Sequence, residues 1–330
     1  MINGLRKFVL IGAGLLLAAL ARDANAQVIT KPVTLVVPYA AGGGTDTVAR
    51  LIGNQMSQTL GQSVIIENVV GAGGTTANER VARSTADGSM VLINHVALLA
   101  APSLFTNLRY DTQTAFEPVG LVNNAPMVLI GRKSIPGQSA KDHVSWIRSQ
   151  GEKANFAHGG IGTNSHLCAV MMGNVLGFKP TFVAYRGSAP AITDLLAGQI
   201  DLLWDQVTNA LPQIQSGTLH GIAITSTERL EELKDVPTTA ELGMPDITYT
   251  MWHGLYVAKG TPGVTVAALN AALRRAVSEP GVASKLKQLG SLPFPAQDMS
   301  PEAHGRLFAA DLPRVAKLVE SSGAKAGEAK

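Results

Sequence analysis

The sequence predicts an α/β protein built as two lobes, each a mostly parallel, doubly wound sheet covered by helices, with a cleft between them. Short β-branched runs alternate with stretches of helical period, and the connections are short, which is the signature of parallel strands joined by crossover helices. Several strand ends run into glycine-rich turns that open a helix, and the alternation begins afresh near Met127. A chain of 330 residues is long enough for two domains.

Residues 1–26 stand outside that pattern. Arg6 and Lys7 form a basic start, residues 8–20 an almost unbroken apolar run, and Ala24, Asn25 and Ala26 a small-x-small end, the layout of a cleavable signal peptide. The apolar run is shorter than the roughly 20 residues a spanning helix needs. The expected mature chain starts at Gln27 in the periplasm, and loss of Arg6, Lys7, Arg22 and Asp23 leaves it nearly neutral by formal count.

Composition excludes several functions. The full chain has 27 basic and 24 acidic side chains, too even a balance for binding that rests on phosphate neutralisation, so no nucleic-acid partner is expected. Cys168 is the only cysteine. It can close no intramolecular disulfide and complete no common zinc cluster, and neither metal nor cofactor is expected.

Taken in order, residues 33–39 (VTLVVPY) are a buried strand, because a β-branched apolar run bounded by glycines is too short for a helix. Gly42, Gly43 and Gly44 make the turn. Thr45 is the expected N-cap, Asp46 sits in the first turn, and Val48, Leu51, Ile52 and Met56 recur at helical spacing until Gly61. Residues 63–69 form a second strand, Gly71 to Gly74 open a helix over 76–84, and residues 90–95 (MVLINH) form a third strand ending at His95.

The second set has strands at 127–131, 155–158, 182–185 and 201–204, with helices over 165–176 and over 188–197, the latter ending at Gly198. After Pro237 and Pro245 a strand at 254–258 returns the chain, followed by helices over 264–278 and 301–321. The expected division is 27–127 with 251–330 as one lobe and 128–250 as the other.

Ligands of open α/β sheets lie beyond the carboxyl ends of the strands. Here that places loops 39–45, 68–75, 158–166 and 185–188 around the cleft, and free N–H groups at helix starts bind carboxylate or phosphate. No Walker sequence follows any glycine run, and Gly160-Ile161-Gly162-Thr163-Asn164-Ser165 lacks the last glycine and distal acid of a dinucleotide fingerprint. Hydrolase motifs of the Gly-x-Ser-x-Gly and His-Glu-x-x-His kinds are absent. The competing reading is a periplasmic α/β hydrolase with His166 or His253 as base, although Ser165 and His166, adjacent on one helix, point in different directions. His158 and His166 can meet across their loop. Asp46 is expected to serve the helix dipole. Asp205 is expected to fix backbone amides or to accept from a ligand amine or a bridging water. Trp252 and His253 sit where the chain recrosses between lobes and are candidates to line the cleft, against an ordinary core tryptophan.

Together these segments resemble the periplasmic substrate-binding proteins of tripartite tricarboxylate transporters, the Bug or TctC family. The matching stretches are residues 37–46 (VPYAAGGGTD), Glu67-Asn68 with Gly71-Ala72-Gly73-Gly74, Ala86-Asp87-Gly88, Asn164-Ser165-His166-Leu167, residues 185–190 (YRGSAP), residues 197–201 (AGQID), and residues 252–256 (WHGLY) with Gly260-Thr261-Pro262. The resemblance covers about residues 27–319. It implies a type II-like Venus-flytrap fold that closes on a small organic carboxylate, aliphatic or aromatic, and a monomer that passes its ligand to permease subunits or presents it to a sensor kinase. It implies no catalysis. It places ligand-binding residues at Tyr39, Ala40, Ala41, Gly42, Gly43, Gly44, Thr45 and Asp46 in the first lobe, and at Gly162, Thr163, Asn164, Ser165, His166, Tyr185 and Asp205 in the second. His95, Trp252 and His253 complete the candidate set. Trp204, where a smaller residue or cysteine is usual, and His158, where serine is usual, depart from the family pattern and bear on pocket size.

Overall fold

The computed structural model describes residues 28–322, and the expected signal peptide lies outside the described residues. Its strands are β1 (Val33–Val37), β2 (Val64–Asn68), β3 (Met90–Asn94), β4 (Phe116–Arg132), β5 (Asn155–His158), β6 (Thr181–Ala184), β7 (Leu202–Gln206), β8 (Leu219–Ile224), β9 (Thr250–Ala258) and β10 (Leu292–Pro293). The helices that matter for the site are α1 (Gly44–Leu60), α2 (Thr75–Ala82), α3 (Val96–Leu104), α4 (Ala140–Gln150), α5 (Asn164–Leu176), α6 (Ser188–Leu196) and α7 (Val207–Gln215). Three more, α8 (Gly263–Ser278), α9 (Pro280–Gln288) and α10 (Pro301–Ser322), follow the last long strand.

Two half-sheets share one long strand. β2, β1 and β3 are parallel and meet β9, while β6, β5 and β7 are parallel and meet β4. β4 spans both, pairing with β9 through Pro126 and with β7 from Met127 onward. The sheets are therefore more mixed than the sequence pattern suggested, since β4 and β9 are antiparallel to each of their neighbours. A chain that leaves one lobe on β4 must return on β9 running the other way, so the crossing itself breaks the parallel order.

Residues 116–126 gave no strand signal because Pro118, Gly120 and Pro126 interrupt the run. The structure absorbs Pro118 and Gly120 at a register shift, with a second shift between Leu121 and Asn123, where a missing N–H costs least, and Pro126 falls where β4 passes from β9 to β7. Helix α4, also without a periodic signal, starts on a reciprocal capping box between Ser139 and Asp142. The two faces of the first half-sheet bury separate apolar clusters, one around Leu35, Ile52 and Leu273 and one around Leu92, Leu99 and Tyr256. The second half-sheet does the same around Phe156 and Trp204 on one face and around Ile130 and Leu203 on the other. Trp204 thus fills a core rather than a pocket wall. Helix α10 packs on α3 and β4 and reaches α5 in the other lobe.

Candidate functional site

Four helices begin at one place. Gly43 and Gly44 at the start of α1, Thr163 and Asn164 at α5, Gly187 and Ser188 at α6, and Gln206 before α7 all line a single cavity between the lobes. No side chain caps any of the four. The first N–H groups of a helix have no intrahelical acceptor and carry the positive end of its dipole, so the cavity is surrounded by backbone donors. Among the described residues, no lysine or arginine lines it. It measures about 30 Å³, room for the centres of two or three waters at roughly 10 to 15 Å³ each.

The lobes touch directly around this space. The Ala40 amide donates to the Arg186 carbonyl at 2.9 Å, and Gln206 Nε2 donates to Thr45 Oγ1 at 3.2 Å. Glycines permit the approach: a Cβ on Gly187, at φ +124°, would stand 2.8 Å from the Ala40 nitrogen, and one on Gly44 would stand 2.2 Å from Gln206 Oε1.

Thr45 is not the N-cap. Gly43 holds that position in extended conformation, which brings Thr45 into the first turn with its hydroxyl 3.0 Å from His253 Nε2. His253 Nδ1 lies 3.0 Å from Asn123 Oδ1, whose Nδ2 donates to Ser291. The Asn123 oxygen therefore accepts from His253 Nδ1–H, which leaves Nε2 to accept from Thr45 and the Thr45 oxygen to accept from Gln206. Burial holds the His253 imidazole down at about 3, so this chain stays neutral.

The second-lobe loop is shaped the same way. Gly160 N–H donates to His158 Nδ1 and Gly162 N–H to His166 Nδ1, while Gly159 N–H donates to Ser165 Oγ. The two rings lie 5.0 Å apart. Burial lowers His158 to about 4, and burial together with His158 lowers His166 to about 3. Ser165 and His166 each serve a different backbone amide, and bases held near 3 take up protons poorly at neutral pH. No group of three His, Cys, Asp or Glu side chains that could hold a metal occurs among the described residues.

Of the residues singled out by sequence, Tyr39, Gly43, Gly44, Thr45, His95, Thr163, Asn164, Ser165 and Asp205 line the cavity. Ala40, Ala41, Gly42, Asp46, Gly162, His166, Tyr185, Trp252 and His253 do not. Asp46 accepts from the Gly42 amide, Arg50 and Asn68. Burial pushes its carboxyl up, but these donors outweigh burial and hold it below its usual value. Tyr185 turns outward and donates to Asp194 at 2.6 Å. Trp252 packs away from the cleft, its Nε1 donating to Asp311 at 2.8 Å and its ring against His304, because neighbouring residues on a strand face opposite sides. The lining also includes Met127, Gly159, Gly187, Ser188 and Gln206. Ser188 and Gly187 stood in a loop already marked, and Gln206 ends a strand, the usual position for a ligand contact. Met127 carried no signal beyond its place at the crossing.

Among the described residues, Asp205 is the one acidic side chain in the lining. Its Oδ1 accepts from the Gln206 amide at 2.8 Å and its Oδ2 from Asn209 at 2.6 Å. Burial pushes it up to about 6 against the pull of Asn209, Gln206 and Ser188.

Known proteins share this sequence and fold. The tripartite tricarboxylate transporter family receptor profile matches residues 48–323. A UPF0065 protein from the TAR-I ttuE-ttuC' intergenic region of Agrobacterium vitis is 39% identical over 89% of this chain and 85% of its own length. BugT of Bordetella pertussis is 28% identical over 98% of this chain and 99% of its own. Among solved structures, the periplasmic binding protein BugD superposes with a TM-score of 0.87 at 39% identity, covering 90% of this chain and 99% of BugD. MatC of Rhodopseudomonas palustris, solved with bound malate, superposes at 0.84 with 37% identity, covering 88% and 99%. A second R. palustris protein, solved with adipate, superposes at 0.83 with 31% identity, covering 89% and 98%. With the family profile over most of its length and this two-lobed fold, the chain belongs to the TctC or Bug family of periplasmic solute-binding proteins, the receptors of tripartite tricarboxylate transporters.

Proposed function

We propose that the protein captures a short aliphatic dicarboxylate between its lobes and delivers it, as a monomer, to the permease subunits of a tripartite tricarboxylate transporter. The convergence of four uncapped helix starts on a cavity without lysine or arginine carries this reading. Each start favours an anion by about 0.3 to 1 kcal/mol, up to about 2 where partly buried. With charge-assisted N–H bonds added, they can supply the roughly 8 kcal/mol of a micromolar complex. The turning of Trp204 and Trp252 into packed cores takes away the aromatic walls on which an aromatic acid would stack and so favours an aliphatic one. Solved relatives that hold malate and adipate support the same class.

In this reading residues 27–127 with 251–330 form one lobe and 128–250 the other, hinged where β4 and β9 cross. The α1 loop grips one carboxylate from the first lobe and the α5 and α6 starts grip from the second, with Asp205 accepting from a hydroxyl, amine or water beside them. The test is thermal unfolding of the mature chain, refolded to strip captured ligand, with succinate, malate, adipate, citrate, benzoate and the neutral diamides. Ligand at about a thousand times its dissociation constant adds about 4 kcal/mol and raises the midpoint by several degrees. Shifts with diacids and none with diamides are expected. A flat response to every acid refutes the carboxylate reading and directs the search to turnover.

A further inference from the structure

Tyr249 lies just before β9, outside the cavity lining, yet its hydroxyl donates to Asn164 Oδ1 at 2.6 Å. Asn164 is buried, opens α5 and lines the cavity. An asparagine amide shows an acceptor on one side and two donors on the other, and which side meets the ligand decides whether an anion is welcomed or repelled. Arg314, from α10, places its guanidinium over the Tyr249 ring, 5.4 Å from the centroid, and so holds the ring in place. The Asn164 oxygen can only accept, so the phenol proton is directed to it. Asp311 holds Arg314 in turn at 3.1 Å and accepts from Trp252. On the far side of Asn164, Nδ2 meets Met251 Sδ at 3.8 Å, a weak acceptor that occupies only one of the two N–H groups.

We infer that Tyr249, oriented by Arg314, is a specificity-determining positioning residue: it pins the Asn164 carbonyl away from the cavity, so that Asn164 offers an N–H to a ligand carboxylate and selects the acid against its amide. This rests on the dicarboxylate reading above and adds to it the group that discriminates charge state. Without the Tyr249 hydroxyl the Asn164 amide can rotate by half a turn and present its oxygen, which suits a ligand –NH2 and disfavours a carboxylate.

The experiment is calorimetric titration of the mature chain with succinate, malate and adipate and with the monoamide of each. The variants are Tyr249→Phe, Arg314→Met, Asn164→Ala and the Tyr249→Phe, Asn164→Ala double variant. Wild type is expected to prefer each diacid it binds over the monoamide. Tyr249→Phe lowers that ratio at least about tenfold, the range of one hydrogen bond to a charged group, and Arg314→Met lowers it in the same direction by less. In the Asn164→Ala background the loss of the Tyr249 hydroxyl leaves the ratio unchanged. Equal weakening of acid and amide by Tyr249→Phe overturns the inference, as does an undiminished change of ratio without Asn164, and either result leaves the dicarboxylate reading standing. If wild type binds none of the three acids, that reading fails and takes this one with it.

Discussion

Replacing Gly73 by alanine should keep the protein folded and cost it most of its ligand affinity. Gly73 sits between β2 and α2 at φ +62°, facing the α5 loop of the other lobe. A Cβ there would stand 2.4 Å from the Ile161 carbonyl oxygen, where ordinary contact begins at 3.4 Å. Because the obstacle is backbone, the lobes must stay about 1 Å further apart. That stretches the Ala40 to Arg186 bond and the Gln206 to Thr45 bond, now 2.9 and 3.2 Å, to about 4 Å, past hydrogen-bond range. Two neutral bonds at about 0.5 to 1.5 kcal/mol each, with at least one charged bond from lobe to ligand at about 1.5 to 3, give about 2.5 to 6 kcal/mol. The dissociation constant should rise by about two to four orders of magnitude. The left-handed backbone costs an alanine about 1 kcal/mol in any arrangement of the lobes. Gly198→Ala measures that cost alone, since Gly198 lies at φ +73° with nothing within 4 Å of its Cβ position. Both variants are titrated with the best acid of the panel and unfolded thermally. Affinity of Gly73→Ala within about threefold of Gly198→Ala would refute the reasoning.

Other perturbations separate site from scaffold. His253→Phe leaves Asn123 Oδ1 without its donor and takes the acceptor from the Thr45 hydroxyl, which keeps its bond from Gln206; at about 1 to 3 kcal/mol for the orphaned oxygen and about 0.5 to 1.5 for the lost bond, urea denaturation should show a loss of about 1.5 to 4.5 kcal/mol. Trp252→Phe removes the bond to Asp311 and should cost about 2 kcal/mol while leaving the dissociation constant within twofold. Asp205 titrates near 6 in the fold because burial disfavours its charge, against about 3.9 when unfolded. The folded state holds this proton more tightly, so its contribution is present below about pH 4 and is lost as pH rises through 6, about 3 kcal/mol in all. The stability difference between wild type and Asp205→Asn should change by that order between pH 4 and 7, and a constant difference would count against a raised carboxyl.

How much of this was legible in the sequence depended on how far apart the partners lie. The starts of α1 and α5 could be read because strand, glycines and helix follow one another directly, so Gly43, Gly44 and Thr163 to Ser165 were placed at the cleft by local pattern alone. Thr45 could not be read correctly: a threonine after glycines looks like a cap, and the groups that claim its hydroxyl are 161 and 208 residues away. Trp252 and His253 both look like cleft residues in the sequence, but strand geometry lets only one of two neighbours face the cleft side, and nothing in the sequence says which. In β4 the prolines hid a strand because sequence rules price a lost N–H at a central position, whereas register shifts there remove the cost. Tyr249 carried no signal at all, since its importance lies in the orientation of another residue's amide.

The buried imidazoles of the site share one electrostatic logic. His95, His158, His166 and His253 are all held neutral by burial, with a neighbouring histidine adding to it at His95 and His166. Three of them, His95, His158 and His166, accept a backbone N–H at or beside a helix start that faces the cleft. A charged imidazolium there would bind the anion too, but it would turn its N–H outward and break the loop that aims the amides. Neutral rings shape the site while the backbone supplies the field, and backbone dipoles do not titrate. Of the lining side chains, Tyr39 is pushed well above its usual value and His95 well below, so Asp205 alone changes charge between pH 5 and 8. In the proposed reading the grip on a carboxylate is therefore fixed while the preference for a donor beside it is tunable, and a receptor that must release its ligand gains from keeping those two functions on different atoms.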